Sequence, residues 1–164
     1  MDFIAMDIAE ETINNTDYRR VISTTKEMQL VLMSLEPGER IPLEIHPKTT
    51  QFIRVEEGYG KANLLDPNYV QQITRNRYTG KSVYPSHQFD VIPLYPNVAL
   101  FIPAEIYYEI INDGDIPLKF YTLFAPTEHA HNLIQEEQPK REAFNSNSPF
   151  KRSQSFVSSI KSTY

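Results

Sequence analysis

Apolar positions along this chain come in short runs with a period of two, broken by glycine, proline, asparagine and aspartate. A period of two puts alternate side chains on one face of a β-strand. Residues 20–25, rich in β-branched side chains, form the first such run, and Lys26 and Glu27 end it. In Gln29–Leu35, Val31, Met33 and Leu35 share one face while Leu30 and Leu32 take the other, which predicts a strand buried on both sides. Pro37 and Gly38 make a turn, and residues 44–46, 51–56 and 61–65 read as three further short strands. Residues 98–102, 106–111 and 118–124 complete the set. Asn112, Asp113, Gly114 and Asp115 separate the last two with side chains that tolerate the positive φ of a tight turn.

The rest of the chain is less regular. Ile4 and Ile8, with Ala5 and Met6 between them, predict a short amphipathic helix ending near Asn14 and Asn15. Residues 127–137 predict a second helix capped by Thr127. Residues 67–96 are too many for a plain connection and predict an extra hairpin, with a strand at 70–77 and a turn at 78–81. The domain plan is an N-terminal extension at 1–17, one barrel domain at 18–138 and a Ser-rich tail at 139–164, disordered alone or ordered against a protein partner. Short strands in succession, without alternating helices, indicate an all-β sandwich or barrel.

Composition narrows the function. The 164 residues, 40% of them hydrophobic, suffice for one domain with a sizeable core. A formal net charge of −5 argues against nucleic-acid binding by the core, which needs a basic surface. The absence of cysteine removes disulfides, thiolate nucleophiles and cysteine-ligated metals. There is neither a signal-peptide pattern nor a bilayer-length apolar run, so the expectation is a cytoplasmic or otherwise intracellular protein with no membrane partner.

Two segments carry a resemblance. Gly38, Glu44, His46, Gln51 and Gly58 stand at the spacing of the first cupin motif: a glycine, two ligands two residues apart, a third ligand and a second glycine. The second motif is degraded. Pro103 and Asn112 match, but Asn97 and Glu105 stand where glycines belong, and Tyr108 stands where a histidine belongs. The chain thus resembles the cupin superfamily over roughly residues 18–130, and within it the small bacterial cupins called mannose-6-phosphate-isomerase-like. The implied fold class is all-β, a double-stranded β-helix or jelly-roll barrel with short flanking helices.

The resemblance implies a metal set of Glu44, His46, Gln51 and Tyr108, an oxygen-rich group suited to Mn²⁺, Fe²⁺ or Ni²⁺ rather than structural Zn²⁺. Tyr108 weakens that set, because tyrosine ligates as phenolate and its reference pKa is about 10. The cofactor expected is therefore a divalent metal or none. Tyr108 is also the candidate catalytic residue, as an acid–base partner of His46. Taken singly, Glu44 reads as a strand surface residue, His46 as a turn histidine and Gln51 as an edge residue; only their joint spacing raises them. His129 and His131 read as solvated surface, His87 as a loop residue, and Lys151 with Arg152 as too short for a nucleic-acid patch. Two functions stand side by side. One is an enzyme or sensor with a small-molecule pocket, its reaction unassigned. The other is a non-catalytic binding or assembly protein, such as a capsid-type component, that keeps the barrel without the chemistry. A homo-oligomer, by default a dimer, suits either.

Overall fold

The computed structural model describes residues 3–65 and 89–139. After helix α1 (Ile8–Asn14) come β1 (Arg19–Thr24), β2 (Gln29–Leu35), β3 (Arg40–Ile45), β4 (Thr50–Glu57) and β5 (Gly60–Leu65). Then follow β6 (Asp90–Leu94), β7 (Ala99–Ile102), β8 (Tyr107–Ile111), β9 (Leu118–Ala125) and β10 (Ile134–Gln135). Two antiparallel sheets result, in the orders β10-β1-β2-β9-β4-β7 and β3-β8-β5-β6. Their facing sides form one core: Val31, Met33, Ile53, Val55 and Phe120 from the larger sheet meet Ile41, Ala62, Leu94, Tyr108 and Ile110 from the smaller. This is the all-β double-stranded β-helix that the motifs imply.

Strand β2 is buried on both faces, as its pattern predicts. Val31 and Met33 line the core, and Leu32 is buried on the outer face, where α1 packs across β2, β4 and β9. Asp7 caps that helix by accepting from the backbone of Ala9 and Glu10, and the Lys119 ammonium donates to the Ile13 carbonyl near its other end. Among the described residues no helix is long and apolar enough to cross a membrane.

Two expectations need correction. The helix predicted at 127–137 is absent; turns and β10 stand there. The Gln29 amide takes both backbone groups of His129, accepting its N–H at 2.9 Å and donating to its carbonyl at 2.8 Å. Asn132 adopts a left-handed φ of 58°, and Ile134 and Gln135 pair with the edge of β1. Tertiary pairing thus overrides local helix propensity. Strand β6, unforeseen as such, occupies the end of the 67–96 stretch and forms the β5–β6 antiparallel pair. Its Pro93 is tolerated because β6 is an edge strand. The strand expected at 70–77, the turn at 78–81, His87, the Lys151–Arg152 pair and all of the tail beyond residue 139 lie outside the described residues.

Candidate functional site

The site begins with an irregularity in β3. Ile41 pairs with Ile110 and Glu44 with Tyr108, three steps along β3 against two along β8. One extra residue in a strand reverses the facing of every residue after it. Glu44 therefore points to the same inner side as Ile41, beside Tyr108. The Tyr108 hydroxyl donates to Glu44 Oε1 at 2.5 Å. His46 comes directly after the end of β3, where the Glu105 N–H binds its carbonyl at 2.9 Å. Its Nε2 lies 2.9 Å from the Tyr108 hydroxyl and 3.5 Å from Glu44 Oε1. Its Nδ1 lies 3.0 Å from Glu128 Oε1, and Thr49 Oγ1 donates to the other Glu128 oxygen at 2.8 Å. Phe124 packs edge-on against the imidazole at 5.6 Å.

These contacts fix the protonation states. Burial pushes the Tyr108 phenol up, and the neighbouring Glu44 charge pushes it further, well above its ordinary 10.0. Tyr108 is thus a neutral donor. Burial lowers His46, but the hydrogen bond and charge of Glu44, with Glu128 behind, outweigh it and hold the imidazole above its ordinary value. Burial raises Glu44, yet hydrogen bonds from His46 and Tyr108 together hold it below the usual carboxylate range. With His46 protonated the hydrogen bonds run in one direction: Nε2–H donates to the phenol oxygen, the phenol donates to Glu44, and Nδ1–H donates to Glu128.

Gln51 is placed differently from its three predicted companions. It is buried on the inner face of β4, where its amide donates to Thr122 Oγ1 at 2.9 Å. Its Oε1 is buried without a hydrogen-bond partner among the described residues. It sits opposite Phe124 in the strand register, so it adjoins the His46 ring through Phe124 rather than bonding to the network.

Three further groups escaped sequence reasoning. Glu128 was not singled out at all. His129, read as surface, instead stacks edge-on against Phe124 at 4.9 Å with its Nε2 buried; burial and the Arg19 charge lower its pKa to about 4. His131 is exposed, as read. Arg19 pairs with the core residue Met33 and so points into the barrel. A signal for Arg19 was present: strand alternation puts it on the face of Val21, the core side.

No protein-family profile matches the chain. Uncharacterized protein L612 of Acanthamoeba polyphaga mimivirus is 36% identical over 136 residues, covering 82% of this chain and 72% of that one. Uncharacterized protein YrkC of Bacillus subtilis is 32% identical over 80% of this chain, which spans only 61% of that protein's length. The crystal structure of BH2720 from Bacillus halodurans matches with a TM-score of 0.67 and 32% identity, over 81% of this chain and 88% of that one. A double-stranded β-helix protein from Klebsiella pneumoniae, at 16% identity and TM-score 0.54 over 82% of this chain and 100% of that one, shares the fold alone. The chain belongs with L612 and BH2720 as a relative, and it has the double-stranded β-helix fold.

The chain keeps the backbone of its cupin-like motifs where the glycines are replaced. Gly38 and Gly58 adopt φ of 84° and 85°, and the replaced positions Asn97 and Glu105 still adopt 72° and 68°. The turn after Pro103 is therefore unchanged, and Glu105 adds a side chain at the rim.

The donor set does not suit the metal that the resemblance implies. A histidine ligand must be neutral with a free lone pair, whereas both His46 nitrogens are engaged here, Nε2 by Tyr108 and Nδ1 by Glu128. A tyrosine ligand must ionise, whereas Tyr108 is held neutral and spends its proton on Glu44. Gln51 Oε1 is buried without a partner among the described residues, and the contacts of Glu44 are made by Oε1 alone. Among the described residues no three histidine, aspartate or glutamate side chains are grouped to hold a metal ion.

Proposed function

We propose that this protein binds a small polar molecule at its barrel mouth and that its polar centre is an acid–base relay rather than a metal centre. The observation that carries this reading is the Tyr108 hydroxyl standing between Glu44 Oε1 at 2.5 Å and His46 Nε2 at 2.9 Å. The Glu44 and Glu128 side chains are 35% and 30% exposed, against 10% for His46, so a ligand reaches the carboxylates first and the imidazolium behind them. A ligand oxygen that displaces the Tyr108 hydroxyl from Nε2 receives an N–H hydrogen bond. A ligand base takes that proton outright, leaving a neutral imidazole still oriented by Glu128.

Protein purified without chelator is expected to hold far less than stoichiometric Mn, Fe or Ni by plasma mass spectrometry. Tyr108→His should then bind Mn²⁺ or Fe²⁺ at least about tenfold more tightly in calorimetric titration, the order that one added imidazole supplies. Stoichiometric metal in the wild type, lost in His46→Ala, would replace the relay with a metal centre. A thermal-shift screen of small polar molecules should find ligands whose effect disappears in Tyr108→Phe.

One observation favours assembly as a second reading. Phe101 is 67% exposed on edge strand β7, with Phe52 edge-on to it at 4.9 Å and Tyr121 beyond. A screen without any Tyr108-dependent ligand would support that reading instead.

A further inference from the structure

The strand register turns the Arg19 guanidinium into the barrel on the inner face of the larger sheet, beside Met33. Its surroundings do not compensate it. Among the described residues no carboxylate lies within 4.0 Å of it; the ion pairs formed there by arginines belong to Arg20 and Arg54. One terminal nitrogen, Nη1, donates to Gln135 Oε1 at 3.0 Å, and the guanidinium carbon stands 5.6 Å from the centre of the Tyr18 ring. The Nε is buried with no acceptor among the described residues. The two carboxylates nearest the site are already engaged, Glu44 by Tyr108 and His46, and Glu128 by His46 and Thr49. A half-buried cation held without a contact ion pair is costly, and Glu44 offers it only a more distant counter-charge.

The uncommitted side of Arg19 is also the side that recognises anions. The Nε edge of a guanidinium presents parallel N–H groups that match the two oxygens of a carboxylate. Gln51 Oε1, on the inner face of the same sheet, and His129 Nε2 are likewise buried without partners among the described residues. The charge of Arg19 is felt at Glu44, Tyr108 and His129, so the guanidinium and the relay share one interior.

We infer that Arg19 anchors a small carboxylate-bearing ligand inside the barrel, with its Nε edge on the carboxylate and the relay of Glu44, Tyr108 and His46 facing the rest of the molecule. This rests on the small-molecule reading above and names its ligand class.

The test compares wild type, Arg19→Met and Arg19→Lys by thermal shift and calorimetric titration. The probes are acetate, malonate, succinate, inorganic phosphate and the neutral polyol glycerol. A carboxylate should bind the wild type and raise its Tm. Arg19→Met should weaken that binding by about tenfold or more, and Arg19→Lys should fall between, keeping the charge but losing the fork. Arg19→Met should leave the ligand-free Tm unchanged or raise it, because a well-packed apolar group replaces an uncompensated charge. A large fall in ligand-free Tm would make Arg19 a structural brace and overturn the inference. Equal carboxylate binding by wild type and Arg19→Met, or binding of phosphate alone, would also overturn it. A neutral ligand that depends on Tyr108 and not on Arg19 would overturn the anchor and leave the small-molecule reading standing; no Tyr108-dependent ligand of any charge would remove both.

Discussion

Tyr108 is the residue on which the proposed relay turns. Placed where a cupin histidine belongs, it supplies neither an imidazole nor a charge. It supplies one hydroxyl that accepts from His46 and donates to Glu44. Substitution at the neighbouring turn is of a different kind. Glu105 keeps the φ of 68° that a glycine would adopt freely. A left-handed conformation costs a side-chain-bearing residue about 1–2 kcal/mol, and glycine gives back roughly 0.5–1 kcal/mol in lost chain entropy. Glu105→Gly should therefore stabilise the protein by up to about 1 kcal/mol in denaturant unfolding. An unchanged or lowered midpoint would show that the Glu105 side chain makes a compensating contribution at the rim. At this scale Glu44, His46 and Tyr108 were legible because motif spacing ties them together. Glu128 and Arg19 carry no such signal and His129 reads as surface, because each reaches the site from a segment outside the motifs.

The elements explain why some predictions from local pattern held and others failed. Strand β9, with clear alternation, and β2, apolar on both faces, appear where the sequence pattern puts them, since a buried face specifies register. The irregular pairing of β3 was not legible. Its extra residue shows only in the partner strand, yet it is what turns Glu44 inward. The helix expected at 127–137 failed for a related reason, the Gln29 amide and the β1 edge being distant in sequence. The turn between β8 and β9 is more local. Asn112 is fully buried, donates to the Leu35 and Ile116 carbonyls at 2.7 and 2.8 Å, and accepts the Gly114 N–H at 3.0 Å. One side chain thereby ties β2, β8 and the approach to β9. Asn112→Ala strands buried carbonyls as well as deleting the bonds, and should cost about 2–4 kcal/mol. Its tertiary context makes that loss global, so the denaturation midpoint should fall while the m-value stays constant. A loss under about 0.5 kcal/mol would mean that water replaces the amide.

At the scale of the whole molecule the relay becomes a dependence of stability on pH. His46 binds its proton more tightly in the folded barrel than its ordinary 6.5, so its contribution is complete below that pH and is lost as pH rises through the raised value. His129 behaves oppositely. Its pKa of about 4 in the folded protein lets the unfolded chain take up that proton first, so stability falls as pH drops from 6.5 toward 4. Glu44, held below its ordinary 4.5, adds a further loss on the acid side as its partners surrender it. Opposed histidines in one interior therefore place the stability maximum near pH 6.5, with a decline on either side. Thermal unfolding from about pH 4 to about pH 9 should trace that dome. His46→Gln should flatten the alkaline limb, and His129→Gln should flatten the acid limb above roughly pH 4.5, leaving the Glu44 loss below it. A plateau unaffected by either substitution would mean that the two imidazoles titrate as they do in water. The barrel would then be a shell around a polar site that it does not tune, and the relay would lose its physical basis.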